Sequence, residues 1–98
     1  MIVSFKDSRT NDIYHGLNTK KARTIPRKVW PLAQRKLDML EAAHVVEDLR
    51  VPPGNHLELL VGALAGRWSI RINRQYRIVF EFDDTTHSAS EVHITDYH

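Results

Sequence analysis

The sequence predicts an α+β fold, with two or three helices followed by an antiparallel meander. Two kinds of periodicity carry that expectation. Trp30, Ala33, Leu37, Leu40 and His44 recur at i, i+3, i+7, i+10 and i+14, which lines one face of a 3.6-residue helix. Farther on the period drops to two. Trp68, Ile70 and Ile72 alternate with Ser69, Arg71 and Asn73, and Tyr76, Ile78, Phe80 and Phe82 alternate with Arg77, Val79 and Glu81.

Taken in order, Ile2, Val3 and Phe5 suit a short opening strand. Asp7 or Ser8 can cap a brief helix carrying Ile13, Tyr14 and Leu17, with Gly16 as its stop. A polar, basic connector from Asn18 to Arg23 leads to the long helix, whose start lies near Pro26 or Pro31. Val45 to Arg50 can add a helical turn before Val51-Pro52-Pro53-Gly54-Asn55 breaks the chain. Leu57, Leu59 and Val61 are expected to form the first strand of the meander, with Gly62 and Gly66 bracketing the next loop. A tight connection surrounds Arg74, and Asp83-Asp84-Thr85 marks the following turn. A last strand puts Val92 and Ile94 on one face and His93, Thr95 and Tyr97 on the other.

At 98 residues the chain suits one domain spanning 1–98, able to bury about 65% of the surface exposed by its unfolded form. No apolar run approaches the roughly 18 residues of a membrane span, and Met1 to Lys6 lacks the layout of a secretory leader. The chain contains no Cys, which excludes disulfides, thiolate metal sites and cysteine nucleophiles and suits a reducing cytoplasm. The net charge of +2 conceals uneven segments. Residues 1–28 are net +5, 29–66 net −2, 67–82 net +3 and 83–98 net −4. Two basic blocks of this kind suit a polyanion-facing surface, and they also suit an ordinary mixed, solvated one.

The apolar helix stripe needs a cover, and one sheet face offers it. By parity the opposite face then carries Arg71, Arg77, His93 and Tyr97. Paired guanidinium groups can grip phosphate and stabilise charge on a reacting phosphoryl group, though any amphipathic hairpin also sets cations on its polar side. Asp96-Tyr97-His98 gathers a carboxylate, a phenol and an imidazole, a set fit for proton transfer and base stacking or for nothing more than a polar terminus. His56 follows the rigid Pro-Pro-Gly-Asn segment at the lip of the sheet. No His pair has the i, i+4 spacing of a helical metal site, so no metal is expected. Gly62 and Gly66 precede no Gly-Lys-Ser/Thr, so a P-loop is absent.

The run Pro52 to Glu58, the block Gly66-Arg67-Trp68-Ser69-Ile70-Arg71-Ile72-Asn73-Arg74-Gln75-Tyr76-Arg77-Ile78-Val79-Phe80 and the terminal Asp96-Tyr97-His98 together resemble HigB-type toxins of the RelE/ParE superfamily. Ile2 to Phe5 and Arg35 to Leu40 fit as well, so the likeness spans almost the whole chain. The resemblance implies N-terminal helices packed on one face of a curved antiparallel sheet. It further implies a ribosome-dependent, metal-independent mRNA endoribonuclease that inhibits translation, needs no cofactor and is held inactive by a helix-turn-helix antitoxin. Operator DNA would be reached only through that antitoxin. Position by position, Arg77 matches an arginine that stabilises phosphate charge, Tyr97 a stacking group, His98 a proton carrier and Asp96 their carboxylate companion. Arg71 matches a basic sheet residue of the Gly66 to Phe80 block, and with Arg67 and Arg74 it is expected to bind RNA; His56, expected to be catalytic, stands where close relatives commonly carry Arg and some active members use a His nearby. Val61 and Leu64 depart from positions where relatives often carry Lys and Arg. That departure keeps two alternatives open: a ParE-like toxin acting on DNA gyrase without cleavage, and an attenuated toxin that only binds its antitoxin.

Overall fold

The computed structural model describes residues 1–96. Two α-helices, α1 (Ser8–Tyr14) and α2 (Trp30–Ala42), precede a four-stranded antiparallel sheet. Its strands are β1 (Glu58–Leu59), β2 (Trp68–Arg71), β3 (Tyr76–Asp83) and β4 (Ser88–Asp96), in the spatial order β1-β2-β3-β4.

Helix α1 has both its ends specified by residues the sequence supplies, Asp7 at the start and Gly16 at the stop. The Asp7 carboxylate accepts from the Thr10 amide at 2.9 Å, an N-cap on the orphan donors of the first turn. At the other end Gly16 takes φ +72°, Leu17 N–H bonds Asp12 O at 2.8 Å, and Gly16 N–H bonds Ile13 O at 3.2 Å. That pairing is a Schellman stop, and it leaves Leu17 exposed beyond the helix rather than on its apolar stripe. Helix α2 starts with Pro31 in its first turn and buries Trp30, Ala33, Leu37 and Leu40. The expected continuation to His44 fails, because the chain turns extended at Ala43, which takes the next buried place.

One apolar core joins these helix residues to Ile70, Ile72, Ile78, Phe80, Ala89, Val92 and Ile94 of the meander. Ala89 and Val92 are both buried although their spacing breaks period two. A register shift opposite Val79/Glu81, with Glu91 at φ +53°, inserts the extra residue that turns both inward. The outer edge of β4 is covered. Ile2 and Phe5 bridge Ala89 and Val92 in parallel, so the opening strand is reduced to two isolated bridges. Beyond them α1 takes over, as Thr10 Oγ1 accepts the Ile94 amide at 2.9 Å and Arg9 donates to the Ile94 carbonyl at 2.9 Å. Thr10 is fully buried. Thr10→Val keeps its shape and orphans that amide, so urea unfolding should register a loss of about 1–3 kcal/mol.

Strand β1 departs most from expectation. Only Glu58 and Leu59 pair with β2, Leu60 is buried, and Leu59 and Val61 are exposed. The run Leu57-Glu58-Leu59-Leu60-Val61 has apolar residues in both phases, so its alternation could not tell the inward phase from the outward one.

Candidate active site on the uncovered sheet face

The register assembles the site. Glu58 lies opposite Ser69, Ser69 opposite Val79 and Val79 opposite His93; in the next row Arg71 lies opposite Arg77 and Arg77 opposite Thr95. These residues share the face turned away from Ile70, Ile78 and Ile94, so the parity expected for Arg71, Arg77 and His93 is the one observed.

Arg77 is its centre. The residue is 7% exposed, yet its guanidinium lies under the segment that carries Asn55 to Glu58. Arg77 Nε donates to Ser69 Oγ at 2.9 Å, and one terminal nitrogen donates to the His56 carbonyl at 2.6 Å. The same nitrogen is 3.9 Å from a carboxylate oxygen of Glu58, whose side chain is half exposed. A buried guanidinium is tolerable only with such partners. Held this way it is a fixed cation with a carboxylate beside it.

His56 enters the site through its backbone. It adopts the left-handed conformation, φ 46° and ψ 54°, at the end of the Pro53–Asn55 turn, and its carbonyl receives Arg77. The residue itself is exposed. What fixes this turn is Asn55, fully buried, whose Nδ2 donates to Leu49 O at 3.0 Å and whose Oδ1 accepts from Lys36 Nζ at 2.5 Å. Burial, and then the neighbouring Arg35 charge, lower the Lys36 pKa below its ordinary value. A line of contacts therefore runs from α2 through Lys36 and Asn55 to the His56 carbonyl and Arg77. Asn55→Ala removes its centre, leaving an ammonium and a carbonyl without their partner, and should cost on the order of 3 kcal/mol in urea titrations.

Of the other expected residues, Arg71 lies opposite Arg77 and Asp96 lines a cleft with Glu58 and Val79. Asp96 is exposed at the end of β4 opposite Tyr76, and its Oδ2 accepts from Gln75 Nε2 at 3.0 Å. Arg71 turns back on its own hairpin, Nε donating to Asn73 O at 3.1 Å. Arg74 is exposed on that hairpin, where Asn73 Oδ1 accepts the Gln75 and Tyr76 amides at 2.9 and 2.8 Å. Arg67 is half-buried just before β2. Tyr97 and His98 lie outside the described residues. Among the described residues no group of three or more His, Cys, Asp or Glu side chains is arranged to hold a metal ion.

Sequence reasoning missed Glu58 and Asn55. Glu58 is the polar position between Leu57 and Leu59, and parity applied to β1 as it was to β2 and β3 would have put it beside Ser69. A fully buried Asn carries no such signal.

The chain is one of the RelE-like toxins of type II toxin–antitoxin systems. Within that class it belongs to the HigB-like toxin family, whose pattern matches residues 3–98. It is 43% identical over 84 residues to Toxin HigB-1 of Vibrio cholerae, covering 86% of each chain. An uncharacterised protein of Haemophilus influenzae is 43% identical over 60 residues, 61% of this chain and 59% of that one. The fold is shared with a YoeB–YefM complex from Staphylococcus aureus at a TM-score of 0.60 and 17% identity, covering all of this chain and 98% of that one. A heterotetrameric YoeB–YefM toxin–antitoxin complex from the same organism gives 0.59 and 18%.

Proposed function

We propose that this toxin is a ribosome-dependent, metal-independent mRNA endoribonuclease that inhibits translation. The carrying observation is the Arg77 guanidinium, locked by Ser69 and the His56 carbonyl with the Glu58 carboxylate 3.9 Å away. A ribose 2′-hydroxyl attacking its neighbouring phosphate needs an acceptor for its proton, a cation for the crowded phosphorus and a donor for the departing 5′-oxygen. Glu58 takes the proton, Arg77 steadies the phosphorane charge, and the products are a 2′,3′-cyclic phosphate and a 5′-hydroxyl. His98 returns a proton to the leaving oxygen, Tyr97 stacks on a base and Asp96 orients its neighbours, as the family likeness suggests. Arg67, Arg71 and Arg74 line the approach of the phosphodiester backbone, and the His56 imidazole stands at the rim.

Residues 1–98 work as one domain, with the helices backing the sheet face opposite the site. Its partners are the ribosome, mRNA and a helix-turn-helix antitoxin through which alone it meets operator DNA. Its likeness to toxins solved with their antitoxins supports the antitoxin partner. The toxin acts in the cytoplasm; among the described residues no helix is long and apolar enough to cross a membrane. Mapping mRNA 5′ ends after expression tests the proposal: cuts within translated frames should appear with the wild type and vanish without His98. Growth arrest without new 5′ ends would defeat it. DNA gyrase is the alternative target, favoured by the exposed Val61 and Leu64, and normal supercoiling at high toxin concentration would remove it.

A further inference from the structure

The turn that brings the His56 carbonyl to Arg77 is fastened by Asn55, and Asn55 is gripped in turn by helix α2. Lys36 and Met39, one helical turn apart, both reach it: Lys36 Nζ lies 2.5 Å from Asn55 Oδ1, and Met39 Sδ lies 3.8 Å from Asn55 Nδ2. Lys36 is half-buried and makes no ion pair among the described residues, so the side-chain oxygen of Asn55 is what its head group meets. We propose that Lys36 is a positioning residue for the cleavage reaction, holding the Arg77 guanidinium in line through the Asn55 amide and the His56 carbonyl. The role rests on the nuclease proposal and adds to it a residue from the far side of the turn.

An asparagine side chain keeps nearly the same shape when its oxygen and nitrogen are exchanged, so its surroundings decide which way it points. Here an ammonium, which only donates, takes the oxygen. The Leu49 and Val51 carbonyls, which only accept, take the nitrogen at 3.0 and 3.5 Å. The backbone closes the turn as well, with Asn55 N–H on Pro52 O at 2.9 Å and His56 N–H on Pro53 O at 3.1 Å. Held from both sides, the amide fixes the left-handed His56, φ 46°, with its carbonyl 2.6 Å from Arg77, and two residues later the chain reaches Glu58. Loss of the ammonium leaves a fully buried amide oxygen without its donor. The turn can satisfy that oxygen only by shifting, and the carbonyl that seats Arg77 shifts with it. Lys36 thus acts on the chemistry without touching RNA.

Two measurements on the full chain test this with Lys36→Met, which keeps the stem and loses the donors. In NMR spectra of the arginine side chains, the Arg77 Nε–H, held by Ser69 Oγ at 2.9 Å, should exchange with water about tenfold faster in the variant. With programmed ribosomes its kcat should fall by about 10–10²-fold while KM stays at the wild-type value, the pattern of a misplaced transition-state donor. Lys36→Arg, which restores a cationic donor, should recover part of both. Lys36→Gln replaces Lys36→Met in both measurements if that protein does not fold. An unchanged Arg77 exchange rate in the folded variant would overturn the role, as would an unchanged kcat or a loss confined to KM. Failure of the nuclease proposal looks different: the wild type would then cut nothing, and the exchange rate would still decide whether Lys36 holds Arg77.

Discussion

Arg77→Lys lowers ribosome-programmed cleavage by about 10²–10³-fold, the range found when a donor aimed at developing oxyanion charge is removed. The charge is retained, so a result of this size isolates geometry. Arg77 reaches Ser69 through Nε and the His56 carbonyl through a terminal nitrogen, two directions fixed by one rigid plane. A lysine has one compact ammonium on a flexible stem and cannot satisfy both while presenting donors to a phosphate. The loss should fall on kcat, measured with ribosomes saturating, because the charge steadied at phosphorus grows only toward the transition state. Arg77→Ala loses at least as much, and it also strips the Ser69 hydroxyl and the His56 carbonyl of a buried donor, so its melting curve must be read beside its activity. Undiminished cleavage by a folded Arg77→Lys protein would remove the arginine from the chemistry.

The dependence of Arg77 on its surroundings also explains which parts of the molecule were legible in the sequence. Alternation was clean in β2 and broken in β3 only by Val79, and parity put Arg71, Arg77 and His93 on one face. The α2 stripe was equally plain up to Leu40. Parity failed where the backbone changes phase. Leu57 to Val61 is apolar in both registers, and the shift near Glu91 turns Ala89 inward with no mark in the side-chain pattern. The site suffered from the same limits. Cations and imidazoles mark phosphate chemistry in a sequence, whereas Glu58, in the ambiguous strand, carries no such mark. His56 was singled out for its ring, whereas the contact that ties it to Arg77 is a carbonyl, an atom every residue possesses. The face itself is not fully open. Ser69, Arg77 and Val79 are buried on it, and the His56 carbonyl, at the end of the turn fastened by Asn55, lies against Arg77.

Glu58→Gln separates acid–base chemistry from scaffolding more sharply than any other change in this site. The amide keeps the size and much of the polarity of the carboxylate but cannot take up a proton. If Glu58 receives the 2′-hydroxyl proton, cleavage should fall by about 10²–10⁴-fold while ribosome binding is preserved. The fold should scarcely notice, because the side chain is half exposed and its contact with Arg77 is long at 3.9 Å. The hydrogen bonds that satisfy the buried guanidinium come from Ser69 and the His56 carbonyl, and glutamine keeps an acceptor oxygen beside it, so the melting midpoint should stay close to that of the wild type. A kinetic comparison completes the test. The split between binding and turnover decides it: proton acceptance predicts a loss in kcat, whereas a carboxylate that merely tunes the position of Arg77 predicts that an uncharged side chain of the same shape is nearly as good. Glu58→Asp discriminates further, since it restores an acceptor on a shorter arm and should recover part of the lost rate only if proton transfer is the role. If Gln and Asp impair cleavage equally, the proton acceptor lies elsewhere, and the Arg77 cation is left as the chemical contribution of this face.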